Sequence, residues 1–138
     1  MKLYSNNVEE TERIASAFAK TLKAGDCISL EGDLGAGKTA FTKALAKAMG
    51  IQAEVVSPTY AYMNDYEGKL YHFDFYRLSS GEDAEALGLT DYFYANAICV
   101  FEWACNVMDV IPENTQKIII EKTGETSRAF TFEKEFVL

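Results

Sequence analysis

The segment Gly32-Asp33-Leu34-Gly35-Ala36-Gly37-Lys38-Thr39 fits the pattern GxxxxGK[ST], a loop built to grip a nucleoside triphosphate. Its glycines let the backbone curl until several N–H groups point inward at phosphate oxygens. The helix expected to follow adds its positive N-terminal end. Lys38 supplies a mobile cation for the β- and γ-phosphates, and the Thr39 hydroxyl is suited to ligate magnesium. Nucleotide contact is therefore expected from Gly32, Asp33, Leu34, Gly35, Ala36, Gly37, Lys38, Thr39 and Ala40. The motif does not select the base. No NKxD-type guanine reader occurs later in the chain, so ATP with magnesium is the expected ligand.

Such a loop also needs an acid to position metal or water, usually at the C-terminal end of a neighbouring strand. Two candidates exist. Asp74 lies in Leu70-Tyr71-His72-Phe73-Asp74-Phe75-Tyr76-Arg77-Leu78, and Glu102 directly follows the apolar run Ile98 to Phe101. Either could join Thr39 as a magnesium ligand, and the sequence does not say which one touches the metal directly. His72, the only histidine, is expected at a strand position next to Asp74, with a structural or hydrogen-bonding role rather than that of a general base. With one histidine and scattered cysteines, a His/Cys metal site is not expected.

Positioning these groups requires strands that end at one crevice. Cys27 to Glu31 reads as the strand before the glycine loop, and Lys38 to Met49 as the helix after it, stopping at Gly50. A leading helix is expected after the cap candidates Asn6 and Asn7, carrying Val8, Ile14, Ala15, Phe18 and Leu22 and closing near Gly25. Glu54 to Ser57 reads as a short strand ending at Pro58. The runs Tyr60–Tyr66 and Lys69–Tyr76 flank Glu67-Gly68, a hairpin signal. Gly81 to Asn96 reads as helical or irregular. Ile98 to Phe101 has the continuous apolar pattern of a buried central strand. Lys117–Glu121 and Ala129–Phe132 read as closing strands around Gly124. The expected fold is α/β: a single P-loop NTPase domain over residues 1–138, with a mixed, largely parallel sheet flanked by helices and an added antiparallel hairpin.

Length and composition agree with that. The chain has 138 residues, 49% of them hydrophobic and 13% aromatic, enough to pack a core without a second domain. Its formal charge of −8 argues against direct nucleic-acid binding, because neutralising phosphates needs a basic face. Contact with DNA is not expected, although the chain could join an assembly in which another subunit holds a nucleic acid. Cys27, Cys99 and Cys105 show no CxxC spacing, and no apolar run approaches 18 residues. A soluble, cytoplasmic protein with free thiols is the expectation, without membrane association.

Four blocks in order carry a closer likeness: Glu31 to Thr39, Ser57-Pro58-Thr59-Tyr60, His72 to Leu78, and Glu102-Trp103. Together they resemble the bacterial tRNA threonylcarbamoyladenosine biosynthesis ATPases of the TsaE (YjeE) family, across nearly the whole chain. The resemblance implies a compact P-loop ATPase needed for threonylcarbamoylation of the adenosine beside the anticodon in ANN-reading tRNAs. It also implies action with TsaB and TsaD partner subunits and weak hydrolysis without them. By position, it gives Thr59 a place in a switch-like loop near the γ-phosphate, Asp74 the Walker-B-like magnesium role, and Glu102 a place near metal or attacking water. Trp103 lies beside the nucleotide in the resembling proteins, and Arg128 sits where the family tends to have arginine. Pro58 independently restricts Ser57 to extended conformations, which stiffens the entrance to that loop. Two departures stand out: Ala104-Cys105-Asn106 after Trp103, where the family often continues with proline, and Tyr60 where it usually has phenylalanine.

Arg13, Arg77 and Arg128 are the only arginines. Arg13 is expected to face solvent. Arg77 and Arg128 could each neutralise phosphate or pair with a core carboxylate; structural pairing is the first reading for both, and Arg128 is kept as a nucleotide-contact candidate. With no evident arginine finger in cis, slow intrinsic hydrolysis is expected, and a partner could supply the missing charge. Two rivals stay open: a small-molecule kinase, which would want a lid with several arginines, and a nucleotide-gated interaction module with negligible turnover.

Overall fold

The computed structural model describes residues 1–33, 35–58 and 61–138. In chain order its elements are β1 (Lys2–Ser5), α1 (Val8–Ala19), β2 (Cys27–Glu31), α2 (Lys38–Ala48), β3 (Met63–Tyr66), β4 (Leu70–Asp74), α3 (Gly81–Ala86), β5 (Ile98–Glu102), β6 (Gln116–Lys122) and β7 (Arg128–Phe132). Short 3₁₀ turns cover Leu89–Tyr92 and Ala104–Val107. The strands form a seven-stranded sheet in the order β1-β7-β6-β2-β5-β4-β3. The four central strands β6, β2, β5 and β4 run parallel, while β3, β7 and β1 add antiparallel edges. This is the expected α/β fold with its hairpin, β3–β4, turning at Glu67-Gly68.

Central parallel strands are covered on both faces, which is why β2 and β5 are apolar nearly throughout. On one face α1 and α2 pack Phe18, Phe41 and Leu45 onto Ile28, Leu30, Val100, Ile118, Ile120 and Phe130. On the other, α3 and the 3₁₀ turns cover Phe73, Phe75, Phe93 and Phe101, whose rings meet with centroids as close as 4.9 Å. Strand side chains alternate between these faces. Leu70 belongs to the α2 side and Phe73 to the other, so Leu70, His72 and Asp74 share the α2 face. Register puts Glu102 directly opposite Asp74 on one side and Leu30 on the other. Both acids therefore end their strands on the same face, beside the start of α2.

Three details differ from the sequence reading. β1 was not foreseen: four residues at the edge, paired with β7 almost a whole chain away. Glu54 to Ser57 is not a strand. Side chains take backbone groups in and just before this stretch instead: Tyr66 bonds both N–H and C=O of Val56, Asn64 donates to the same carbonyl, and Glu67 accepts from Gln52 and Ala53. Val56 is thus held by β3, and Gln52 and Ala53 by the hairpin turn, with side-chain bonds in place of a ladder. Finally, α1 ends at Ala19, short of Leu22, although Asn7 caps it as expected by accepting from the Glu10 N–H at 2.8 Å. Among the described residues no helix is long and apolar enough to cross a membrane. Cys27, Cys99 and Cys105 are free thiols, the first two buried.

Candidate nucleotide site

The loop between β2 and α2 turns through left-handed backbone at Gly35 (φ 81°) and Gly37 (φ 107°), conformations that a β-carbon would strain. It delivers the chain to Lys38, the first residue of α2. The three helices differ in one telling respect. Asn7 caps α1 and Ser80 caps α3, but Gly37 offers α2 no side-chain cap. The first N–H groups of α2 are thus left for an anion at the positive end of the helix.

Facing that end is a cavity of about 350 Å³ lined by Gly35, Gly37, Lys38, Thr39, Ala40, Ser57, Asp74, Tyr76, Glu102 and Trp103. Five of the sequence-predicted loop residues, Gly35, Gly37, Lys38, Thr39 and Ala40, and both acids therefore meet around one space, with Trp103 as a wall. Lys38 is 7% exposed, and its Nζ lies 3.8 Å from Glu102 Oε1 and 4.8 Å from the centre of the Trp103 ring. Glu102 Oε2 is 2.6 Å from His72 Nε2. Asp74 Oδ1 accepts the Tyr76 N–H at 2.9 Å, which fixes the carboxylate at the strand exit. Trp103 adopts a left-handed backbone (φ 58°), uncommon outside glycine, and its ring packs on Tyr76 at 4.9 Å. That bend aims the indole back over Lys38. Asn106, part of the departure after Trp103, donates to the carbonyls of Phe75 and Tyr76 at 3.1 and 3.3 Å, tying this loop to the exit of β4.

Other expected contacts lie elsewhere. Gly32 and Asp33 line a neighbouring cavity of about 580 Å³, on the side of Glu31, Met108 and Lys117. Ala36 is buried, with its carbonyl accepting from Arg128 Nε at 2.7 Å. Arg128 spends further donors on the carbonyls of Gly124 and Ser127, so it braces the loop from behind rather than reaching into the cavity. Leu34, Thr59 and Tyr60 lie outside the described residues, so their expected roles have no structural counterpart here.

Gly32 is needed for space. A β-carbon there would sit 2.5 Å from the Ile120 carbonyl oxygen, on a strand held from both sides by β2 and β7. Gly32→Ala is expected to cost about 1–3 kcal/mol and to displace the loop, lowering the thermal midpoint and nucleotide affinity together.

Sequence reasoning missed a further cavity of about 730 Å³ that touches the loop at Gly37 and Ala40. It is lined by Asn7, Thr11 and other residues of the start of α1, by Lys43, Ala44 and Lys47 of α2, and by Glu125, Thr126 and Arg128 of the β6–β7 turn. No local pattern marks it, because its three segments are distant in sequence and meet only through the packing of α1 on α2 and the pairing of β1 with β7.

The donor set also suits magnesium. Thr39, Asp74 and Glu102 offer hard oxygens at the cavity, and both carboxylates are 6% exposed. Among the described residues no group of three or more His, Cys, Asp or Glu side chains forms a self-sufficient metal cage. Magnesium usually takes one or two carboxylates and completes its shell with phosphate oxygens and water, so a sparse set fits it.

A β-strand, a glycine loop and an uncapped helix carrying Lys-Thr, with acids ending the adjacent parallel strands, define a P-loop nucleotide-binding protein. A family model described as "Threonylcarbamoyl adenosine biosynthesis protein TsaE" matches residues 5–130, and the chain belongs to that family. It is 41% identical over 135 residues to the tRNA threonylcarbamoyladenosine biosynthesis protein TsaE of Bacillus subtilis, covering 96% of this chain and 84% of that one. The protein of the same name from Treponema pallidum is 37% identical, covering 95% and 98%. Among solved structures, the crystal structure of YdiB from Bacillus subtilis superposes with a TM-score of 0.79 at 38% identity, covering 96% of this chain and 83% of that one.

Proposed function

We propose that this chain is a magnesium-dependent ATPase that acts in tRNA threonylcarbamoyladenosine formation together with TsaB- and TsaD-type subunits. The observation that carries the reading is the convergence of the uncapped α2 terminus, Lys38, Thr39, Asp74 and Glu102 on one cavity. The loop N–H groups and Lys38 hold the β- and γ-phosphates, and Thr39 with Asp74 or Glu102 would hold magnesium. When bound, the metal offsets charge on the transferred phosphoryl group. Glu102 orients water at the γ-phosphate, and Thr59 belongs to the loop that senses it. The nucleoside lies in the cavity at Thr11 and Thr126, which joins the phosphate end at Gly37 and Ala40.

Slow turnover by the chain alone fits the arginines. Arg128 is committed to backbone carbonyls, Arg77 stacks over the Tyr62 ring at 4.5 Å, and Arg13 is exposed on α1. None lines the phosphate cavity among the described residues. Charge at the transferred phosphoryl group would then come from a partner. The chain acts as one domain over residues 1–138, in the cytoplasm, and meets tRNA only through its partners. Modification of an ANN-reading tRNA by TsaB and TsaD, with and without this chain, tests the reading. Modification that needs both this chain and hydrolysable ATP is expected. Modification sustained by a non-hydrolysable analogue would overturn the ATPase role in favour of a nucleotide-gated module.

A further inference from the structure

We propose that His72 is a positioning residue for Glu102, fixing one carboxylate oxygen so that the other faces the phosphates. The inference rests on Glu102 being the acid that orients water or metal, as proposed above. His72 is fully buried on β4, opposite Val100 and on the same face as Asp74. From there it reaches diagonally to Glu102, with Nε2 2.6 Å from Oε2, while Oε1 is left 3.8 Å from Lys38 Nζ. The two oxygens of one carboxylate are thus divided between an inner and an outer partner.

Packing alone does not call for an imidazole here. The neighbouring positions on this face are Leu70, Ile98 and Val100, and an aliphatic side chain would fill the same row. The other ring nitrogen, Nδ1, is buried with no hydrogen-bond partner among the described residues. A buried polar atom left unpaired carries a cost, so the ring is held by its single bond to Glu102. A proton on Nε2 makes that bond and leaves only a lone pair unmatched at Nδ1. The arrangement matters most once ATP is present. Lys38 must then turn to the phosphates, and its loose contact with Glu102 is the one given up. His72 remains to keep Glu102 from swinging, and a misplacement of about 1 Å in a reacting group can cost up to about a hundredfold in rate.

The test compares His72→Gln with His72→Asn, wild type and Glu102→Gln, each with ATP, magnesium and the TsaB and TsaD subunits. Glutamine places an amide N–H near the position of Nε2, whereas asparagine is too short to reach Glu102. His72→Gln is expected to keep kcat within about threefold of wild type, and His72→Asn to lose about tenfold or more. Both should bind ATP with unchanged affinity, read from the fluorescence of Trp103, the only tryptophan. A merely structural histidine would make both variants lose thermal stability and rate alike. Equal rates for the two variants, or losses in KM rather than kcat, would overturn the proposal. Wild-type turnover with Glu102→Gln equally active would instead overturn the role given to Glu102, and a wild type without turnover the ATPase reading itself.

Discussion

Lys38→Ala is expected to fold and to lose ATP affinity by about two orders of magnitude or more, measured by titration calorimetry or Trp103 fluorescence. Two effects add. The first is loss of the cation: charge-assisted hydrogen bonds to a phosphate contribute about 1.5–3 kcal/mol each, and Lys38 is the one cation lining the phosphate cavity among the described residues. The second comes from what Lys38 faces in the absence of nucleotide. Its Nζ is 3.8 Å from Glu102, and both side chains are 7% exposed. Without it, Glu102 keeps His72 as its side-chain partner among the described residues, and a carboxylate without its lysine confronts the incoming triphosphate. The fold should survive, since Lys38 lies at the first residue of α2 and the apolar face of the helix is untouched. Lys38→Arg is a useful companion. It keeps the charge but offers a planar fork instead of a compact ammonium, so it should recover only part of the affinity. Wild-type affinity in Lys38→Ala would contradict the phosphate assignment.

Glu102→Gln is expected to show the opposite division, with ATP binding kept and turnover reduced about a hundredfold. Glutamine preserves the shape of the side chain and can still accept from His72, so the inner bond survives. What disappears is the charge. Nucleotide should bind as well as in wild type or better, because one negative group facing the phosphates is gone. Chemistry should fail, since an amide neither takes a proton from water nor serves magnesium as a carboxylate does. Glu102→Ala should likewise leave binding largely intact, with a small loss of stability from the vacated His72 bond. Phosphate release at saturating ATP and magnesium separates the outcomes. A wild-type rate in Glu102→Gln would move the role to Asp74, which lies opposite it in the sheet and shares the cavity.

The chemistry of this chain was legible where it is local. A glycine loop must lie between a strand and a helix, so Gly32 to Thr39 announced β2 and α2 together. The apolar run at Ile98 to Phe101 reads as a strand buried on both faces, and β5 is one. The turn at Glu67-Gly68 marked the β3–β4 hairpin. What stayed hidden depends on contacts made across the chain. β1 is short and pairs with β7 at the far end of the sequence. Residues 54–57 have strand-like composition, yet Tyr66 and Asn64 take the backbone groups of Val56, and Glu67 takes the N–H groups of Gln52 and Ala53 just before. Arg128 was a candidate for phosphate, but its geometry serves the Ala36 carbonyl, 92 residues away. His72 was expected at a strand position next to Asp74 with a structural or hydrogen-bonding role; it lies there, and the partner that the sequence could not name is Glu102 on the next strand, a diagonal that only register reveals.

The most direct test of the account is ATP hydrolysis by the purified chain with magnesium, alone and then with TsaB and TsaD from the same source. Slow release alone and strong stimulation by the partners is predicted, because the phosphate cavity holds two acids and a lysine but, among the described residues, no arginine. Hydrolysis that stays equally slow with both partners present, despite tight ATP binding, would contradict it.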